Sequence, residues 1–86
     1  MAARLVFLGR LEELAGSGDA ALALAAPLNW QALVERLSAE FDPLLGEAIC
    51  GDRVRVAING ALVAEKQALV LGDGDELAFL PPVSGG

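Results

Sequence analysis

The chain has no histidine, no tyrosine and only one cysteine among its 86 residues. Imidazole and thiolate groups are the usual protein ligands of zinc, and histidine is the commonest general base near neutral pH. Their scarcity excludes zinc sites and histidine-based catalysis. Cys50 has no partner for an internal disulfide, and no base lies beside it in the sequence. Cys50 is therefore interpreted as a small buried hydrophobic residue rather than a thiol that handles sulfur.

Long apolar runs are also missing, although 55% of the residues are hydrophobic and the mean hydropathy is +0.52. No run approaches the ~18 residues of a membrane-spanning helix. Residues 1–10 lack a cleavage pattern and are interpreted as a strand rather than a signal peptide, so we expect a cytoplasmic protein without a membrane partner. A net charge of −6 argues against nucleic acid, because a surface that binds phosphates must be basic. Another protein is the expected partner for the surplus apolar surface.

The first half of the sequence predicts two strands, at residues 4–8 and 20–26, separated by an amphipathic turn at 9–15. Alternation in the first strand places Val6 and Leu8 on the face opposite to that of its other apolar residues.

One long helix follows, for which Asn29 is a natural N-cap. It should end by Asp42, because the residue before Pro43 disfavours the α conformation, and residues 43–49 should form a short further turn. Its apolar stripe has the spacing of one helix face, and Trp30 within it is interpreted as a core anchor. The stripe consists of Trp30, Leu33, Val34, Leu37 and Phe41.

The second half predicts a hairpin and a final strand. Residues 53–58 alternate in polarity, and Asn59-Gly60 favours a type I′ turn into residues 61–63. A second tight turn at 72–75 precedes a strand at 76–80. The order ββαββ resembles the ubiquitin-like roll, an α+β fold in which a mixed sheet of four to five strands packs on one main helix. Arg53, Arg55 and Lys66 are interpreted as solvated charges rather than a basic patch for an acidic partner.

The last six residues are predicted to project from this body, which leaves residues 1–80 as the domain and 81–86 as a tail. Pro81 and Pro82 fix the backbone direction and end the preceding strand. Gly85 and Gly86 have no Cβ, so this flexible end can enter a narrow slot with its carboxylate unhindered. Six extended residues reach on the order of 20 Å, enough to enter the active site of another protein.

Residues 72–86 resemble the C-terminal signature of the small, sulfur-carrying subunit of molybdopterin synthase, in the MoaD/ThiS family. The likeness extends over the whole chain in length and element order, and includes the Leu-Glu-Glu-Leu-Ala-Gly turn at 11–16 and the Asn-Gly hairpin. Ala57-Ile58 before Asn59 departs mildly from the family pattern, at a position that affects packing.

The resemblance implies that the chain is not an enzyme on its own and has no permanently bound cofactor. An adenylating activating enzyme would use ATP on the Gly86 carboxylate, and a sulfur donor would convert it to a thiocarboxylate. The large subunit of molybdopterin synthase, in a heterotetramer, would receive the tail and pass the sulfur to a pterin precursor. Gly86 would carry the sulfur and Gly85 would give clearance. The rest of the tail, Pro81, Pro82, Val83 and Ser84, would contact the partner.

Leu8, Leu62 and Leu80 are predicted to form an exposed apolar patch beside the tail that binds the large subunit. Because successive side chains of a strand point to opposite faces, Leu8 and Leu80 are expected on the face opposite to that of the core residues of their strands. Leu62 follows the Asn-Gly turn. Two other classes remain open. One is a sulfur carrier for thiamine thiazole formation or tRNA thiolation, and the other is a binding module or a ubiquitin-like modifier that is joined to lysines.

Overall fold

The computed structural model describes residues 1–82, and Val83, Ser84, Gly85 and Gly86 lie outside the described residues. The strands within residues 1–82 are β1 (Ala2–Phe7), β2 (Asp19–Ala23), β3 (Leu28–Asn29), β4 (Arg55–Ile58), β5 (Ala61–Leu62), β6 (Val70–Leu71) and β7 (Glu76–Leu80). The helices are α1 (Arg10–Ala15), α2 (Trp30–Glu40) and α3 (Pro43–Ile49), and a 3₁₀ turn spans Lys66–Ala68.

Five strands form one mixed sheet in the order β2-β1-β7-β4-β5. The central strands β1 and β7 are parallel, and every other neighbouring pair is antiparallel. Strands β3 and β6 form a separate two-stranded pair. The helix α2 buries Leu33 and Leu37 in the core that covers the inner face of the sheet. This arrangement is the predicted β-grasp roll, with five strands in its main sheet.

Aromatic packing fixes the centre of the core. Phe7 and Phe79 are paired in the β1–β7 register, and their rings stack with centroids 5.3 Å apart. Phe41, beyond the end of α2, meets the edge of the Phe7 ring at 5.7 Å. Stacked and edge-on pairs each add about 0.5–1.5 kcal/mol to the effect of burial. Trp30 is buried as predicted, so the aromatic residues link the helix layer to the central strands.

Both predicted helix starts follow from side-chain caps. The Asn29 side chain accepts a hydrogen bond from the Ala32 amide at 2.9 Å. The Asp42 side chain accepts one from the Leu44 amide at 2.8 Å, and Pro43 occupies the first turn of α3. The short turn predicted at residues 43–49 is thus a capped helix.

Several predicted boundaries differ from the observed ones. The first strand begins at Ala2 and ends at Phe7, and the second spans Asp19–Ala23 rather than residues 20–26. The strand predicted from residue 53 begins at Arg55, because the Val54 amide donates to the Gly51 carbonyl within a turn. The β3–β6 pair and the 3₁₀ turn were not predicted, since two-residue strands have no periodicity to detect.

The Asn-Gly hairpin has the predicted turn geometry, and its Asn59 side chain has a hydrogen-bond partner, Asp75, that the sequence did not indicate. Asn59 and Gly60 both have positive φ, 51° and 87°, as a type I′ turn requires. The Asn59 side chain donates to Asp75 at 3.0 Å and accepts from the Glu76 amide at 2.9 Å. Asp75 also accepts from the Gly72 amide at 2.8 Å. The hydrogen bond from Asn59, followed by that from Gly72, lowers the pKa of Asp75.

The lysine at position 66 is buried, which corrects its interpretation as a solvated charge. Its side chain is 8% exposed. The ammonium group donates to the carbonyl oxygens of Ile49, Gly51 and Val54 at 2.8, 2.5 and 2.6 Å. These carbonyls belong to the end of α3 and to the turn that follows it. Lys66 therefore takes the place of a C-cap and holds this corner against the 3₁₀ turn.

Replacing Asp75 with alanine should lower the free energy of unfolding by about 1 kcal/mol at pH 7, because Asn59 and Gly72 lose their acceptor. The pKa of Asp75 is below 3.8 in the folded state. The carboxylate therefore contributes stability above pH 3.8, and this contribution is lost as the pH falls through the folded-state pKa.

Urea unfolding of both proteins at pH 7 and pH 3 measures the effect, with Glu35→Ala on the exposed side of α2 as the control for lost charge. The stability difference for Asp75→Ala should shrink at pH 3. An equal difference at both pH values would contradict the role of the ionised carboxylate.

Candidate functional site: the tail root and the outer sheet patch

The tail leaves the domain from the end of β7, at the centre of the sheet. Pro81 is half-buried and Pro82 is exposed. Gly9 approaches Pro81 so closely that a Cβ added to Gly9 would lie 2.9 Å from Pro81 Cγ, and Gly9 has a φ of +58°. A side chain at residue 9 would therefore meet both backbone strain and a clash. The Gly9 backbone and the Pro81 ring together fix where the chain leaves the sheet.

This contact could not be recognised from either segment alone. The parallel register pairs Phe7 with Phe79, so the residues that follow each strand continue side by side. The prediction that Val83, Ser84, Gly85 and Gly86 form the working end falls on residues outside the described part of the chain. Pro81 and Pro82 are the tail residues for which a position is known.

Two of the three leucines predicted to bind a partner are exposed. Leu62 on β5 is 67% exposed and Leu8, directly after β1, is 41% exposed. Leu80 at the end of β7 is half-buried. Extending the β1–β7 register by one residue places Leu8 level with Leu80. Both are therefore next to the tail root, and their role in binding stays a prediction.

Strand register also shows apolar residues between these leucines that sequence reasoning missed. Val6 pairs with Ala78, Ala78 pairs with Ala57, and Ala57 pairs with Leu62, so one apolar row crosses four strands. The residues of this row before Leu62 are half-buried. They have the parity opposite to that of the core residues, so they lie on the outer face of the sheet. The alternation of these residues with buried ones in the sequence indicated their face of the sheet. The sequence did not indicate which strands are neighbours, so the row could not be predicted.

We call this surface the outer sheet patch. It consists of Val6, Leu8, Ala57, Leu62, Ala78 and Leu80.

Charged residues border the patch in the same register. Asp19 pairs with Val6 on one side, and Arg55 pairs with Leu80 on the other. Arg4 forms an ion pair with Asp19 at 2.6 Å. An apolar centre with a charged border is typical of the surfaces that proteins use to bind one another.

A groove of about 650 Å³ lies beside the prolines of the tail root, between α1 and the turn after α3. Arg10, Arg53, Glu13 and Asp52 contribute to its lining, so positive and negative charges are balanced there. The remaining walls are mostly apolar: Leu11, Leu14, Ala48, Gly51, Val54, Pro81 and Pro82. A partner that encloses the tail therefore meets an apolar groove on one side and the outer sheet patch nearby.

Cys50 is exposed, so its interpretation as a small buried hydrophobic residue was wrong. It is the C-cap residue of α3, where its amide donates to the Glu47 carbonyl and the chain turns at Gly51. Ile49, the last residue of α3, is buried, and the side chain of Cys50, which follows it, is exposed. The composition of the segment gave no sign of where α3 would end. Cys50 lies outside the outer sheet patch.

Among residues 1–82, no helix has both the length and the apolar character that crossing a membrane requires.

Solved structures similar to this chain share its fold over its full length. The crystal structure of SAMP1, a small archaeal modifier protein of Haloferax volcanii, superposes with a TM-score of 0.77 at 28% sequence identity and covers 100% of both chains. A chain from the complex of subunits 1 and 2 of the molybdopterin-converting factor of Helicobacter pylori superposes with a TM-score of 0.62 at 22% sequence identity. This match also covers 100% of both chains. At that identity the second match shows the fold alone.

Similarity in sequence points in the same direction. A relative from Archaeoglobus fulgidus, described as an uncharacterized protein, is 43% identical over 58 residues. The match spans 65% of this chain and 59% of the length of that relative. The family model described as the ThiS family matches residues 5–86, a range that begins within β1 and includes residues 81–86. The chain therefore belongs to the ThiS family of ubiquitin-like β-grasp proteins.

Proposed function

We propose that this chain is a sulfur carrier in molybdopterin biosynthesis, with the carboxyl group of Gly86 as the carrier. The observation that carries the proposal is the family match through residue 86, together with a strand, a Pro-Pro stem directly after it and a Gly-Gly end two residues later. The chemistry takes place on the terminus, so the folded body has only to be recognised and to present the tail. The proposal places the protein in the cytoplasm, where its activating enzyme would act.

Loading of sulfur requires two steps. In the first, a carboxylate oxygen of Gly86 attacks the α-phosphorus of ATP on the activating enzyme, and pyrophosphate leaves. In the second, the sulfur of a donor attacks the carbonyl carbon of the adenylate, and AMP leaves. With hydrosulfide as the donor, the new C–S bond replaces the C–O bond to AMP, the S–H proton is lost, and the terminus is a thiocarboxylate with no change of oxidation state. The activation replaces a poor leaving group with a good one, which is the usual reason for a covalent intermediate.

Delivery requires a partner that accepts the tail. A complex of subunits 1 and 2 is the form in which the similar Helicobacter pylori protein was solved. We propose the corresponding large subunit as the partner here, in a heterotetramer, with the outer sheet patch as the docking surface. The patch lies beside Pro81, so a subunit bound there is placed to receive the tail.

A ubiquitin-like modifier is the second candidate, and its support is the 28% identity to SAMP1 over the full length of both chains. It would use the same adenylate but pass the acyl group to an amine. Thiamine thiazole formation and tRNA thiolation remain alternative destinations for the sulfur. Mass spectrometry of protein from its own cells separates a sulfur carrier from a modifier, because a thiocarboxylate and an isopeptide differ in mass and in attachment.

Adding one alanine after Gly86, or deleting Gly86, should abolish sulfur transfer and leave the thermal stability almost unchanged. Terminal residues carry few buried contacts. The reactive carbon would be displaced by ~3.3 Å of chain, and a misplacement of about 1 Å can already cost roughly a hundredfold in rate. The assay combines the chain with activating enzyme, ATP and sulfide, and scores adenylate, thiocarboxylate and transfer to the large subunit.

Cys50→Ser is the matched control for these tail variants. It removes the only thiol and should still form the thiocarboxylate at Gly86. A folded Cys50→Ser protein that failed to load sulfur would contradict the assignment of the carrier to the terminus. So would an alanine-extended chain that delivered sulfur at the normal rate.

Leu62→Glu and Leu80→Glu should each weaken binding of the large subunit by more than about 1 kcal/mol, or roughly fivefold in Kd, because each introduces a charge into the apolar centre of the interface. Isothermal titration of the large subunit measures the change. Leu44→Glu is the matched control, since Leu44 is an exposed leucine of α3, 59% exposed, outside the patch. It should bind normally.

Thermal unfolding of the isolated variants decides between docking and core roles. Leu62→Glu should remain folded because Leu62 is 67% exposed. If Leu80→Glu unfolds the domain, Leu80 belongs to the core. Normal binding by a folded Leu62→Glu protein would remove β5 from the proposed interface.

A further inference from the structure

Lys66 is the only lysine in the sequence, and its amine is enclosed by the fold. An ammonium group has three N–H donors, and Lys66 directs them to three carbonyl oxygens, of Ile49, Gly51 and Val54. The distances of 2.5–2.8 Å leave no room for a further molecule between the nitrogen and these oxygens. All hydrogen-bonding capacity of this amine is therefore used within the domain.

The surroundings of the amine oppose its exposure. Trp30 lies on another side of it, with the ring centroid 5.7 Å from Nζ, a distance at which a cation and an aromatic ring attract each other. Withdrawing the amine would leave the Ile49 and Val54 carbonyls without a donor, whereas the Gly51 carbonyl would keep the Val54 amide. Each buried unsatisfied group is costly. Reaction at Lys66 therefore requires local opening of the corner that joins α3 to the 3₁₀ turn.

Burial also lowers the pKa of Lys66, and this effect alone would favour reaction at the amine. A lower pKa increases the neutral fraction, which is the nucleophilic form of an amine. The neutral amine has one N–H fewer and would leave one of the three carbonyls without its bond. The three carbonyls and Trp30 therefore restrict access to the nitrogen in both protonation states.

The other basic side chains are not acyl acceptors under the same conditions. Guanidinium groups keep their proton in proteins, so they have no free nucleophilic nitrogen at neutral pH. All of them are arginines: Arg4, Arg10, Arg36, Arg53 and Arg55.

We propose that the fold withholds its lysine from acylation, so that this chain cannot serve as a lysine acceptor for its own activated terminus. The inference rests on the proposed function, in which Gly86 becomes an acyl adenylate. Attack by an amine nitrogen on that carbonyl carbon would form a C–N bond, break the C–O bond to AMP and release a proton. In this chain the attacking lysine must come from a different protein. Copies of the chain can then be joined to lysines of another protein, but not to one another through lysine.

The same property protects a sulfur carrier. An adenylate that awaits a sulfur donor meets other copies of the chain at high local concentration whenever carriers accumulate. Without an accessible lysine on those copies, the adenylate is not lost to isopeptide formation between them. Isopeptide formation is thus restricted to lysines of other proteins, and transfer of the acyl group to a sulfur donor does not compete with Lys66.

Acetylation with a small N-hydroxysuccinimide ester tests access directly and needs no partner enzyme. Arg53→Lys supplies the reference amine, because Arg53 is exposed and forms no ion pair or side-chain hydrogen bond within residues 1–82. Peptide mapping by mass spectrometry follows each amine, including the α-amine of residue 1, as a separate site. Lys66 should be acetylated at least ~100-fold more slowly than the amine introduced by Arg53→Lys, as expected when reaction waits for local opening. Rates less than ~100-fold apart would overturn the proposal.

A second experiment uses the activating enzyme with ATP and no sulfur donor. Hydroxylamine captures the adenylate as a hydroxamate and confirms that the terminus is activated. In the absence of hydroxylamine, native chains should form no adduct between copies at Lys66, and an adduct mapped to Lys66 would overturn the inference. If no hydroxamate forms, the proposed function fails, while the acetylation rates still decide whether Lys66 is withheld.

Discussion

Parallel pairing of β1 with β7 is the contact on which the rest of this small structure depends. It joins the beginning of the described chain to its last strand, and it stacks Phe7 on Phe79 at the centre of the core. The same register carries Gly9 to Pro81, which fixes the root of the tail. It also sets Val6 beside Ala78 on the outer face, so the proposed docking surface and the tail root are both products of one strand pair. A change that shifted this register would move the patch, the core and the tail together.

Lys66 supplies hydrogen-bond donors to backbone carbonyls that a domain of this size has few other ways to satisfy. A chain of 86 residues has a small core, and the corner after α3 contains several carbonyls without partners in a helix or strand. One ammonium group donates to three of them and packs near Trp30. Burying a charge is costly unless it is fully hydrogen-bonded, and this condition is met here. The position that stabilises the corner is also the reason that the amine is not available for chemistry.

Features encoded by neighbouring residues were predictable from the sequence. The Asn29 cap, the end of the helix before Pro43 and the Asn59-Gly60 turn each depend on the conformational preferences of a few adjacent residues. The burial of Lys66 and the exposure of Cys50 were predicted wrongly, because both depend on where α3 ends and what packs against that corner. Ala57 and Ala78 were missed as surface residues for a related reason, since the alternation gives the parity of a strand but not its neighbours. The tail could be predicted because Pro-Pro and Gly-Gly are signals in local composition, whereas the position of its root depends on Gly9, more than seventy residues away.

The short distance between the patch and the tail root limits how the proposed partners can act. A protein bound to the outer sheet patch fixes the position of Pro81, and the chain from there to Gly86 spans on the order of 20 Å when extended. The active site of the bound protein must therefore lie within that distance of the surface that contacts the patch. The proposed activating enzyme and the proposed large subunit would both need the terminus, and a single terminus can occupy one active site at a time. If both recognise the same patch, release from the first must precede binding to the second, so moderate affinity for each would serve a carrier better than tight binding to either.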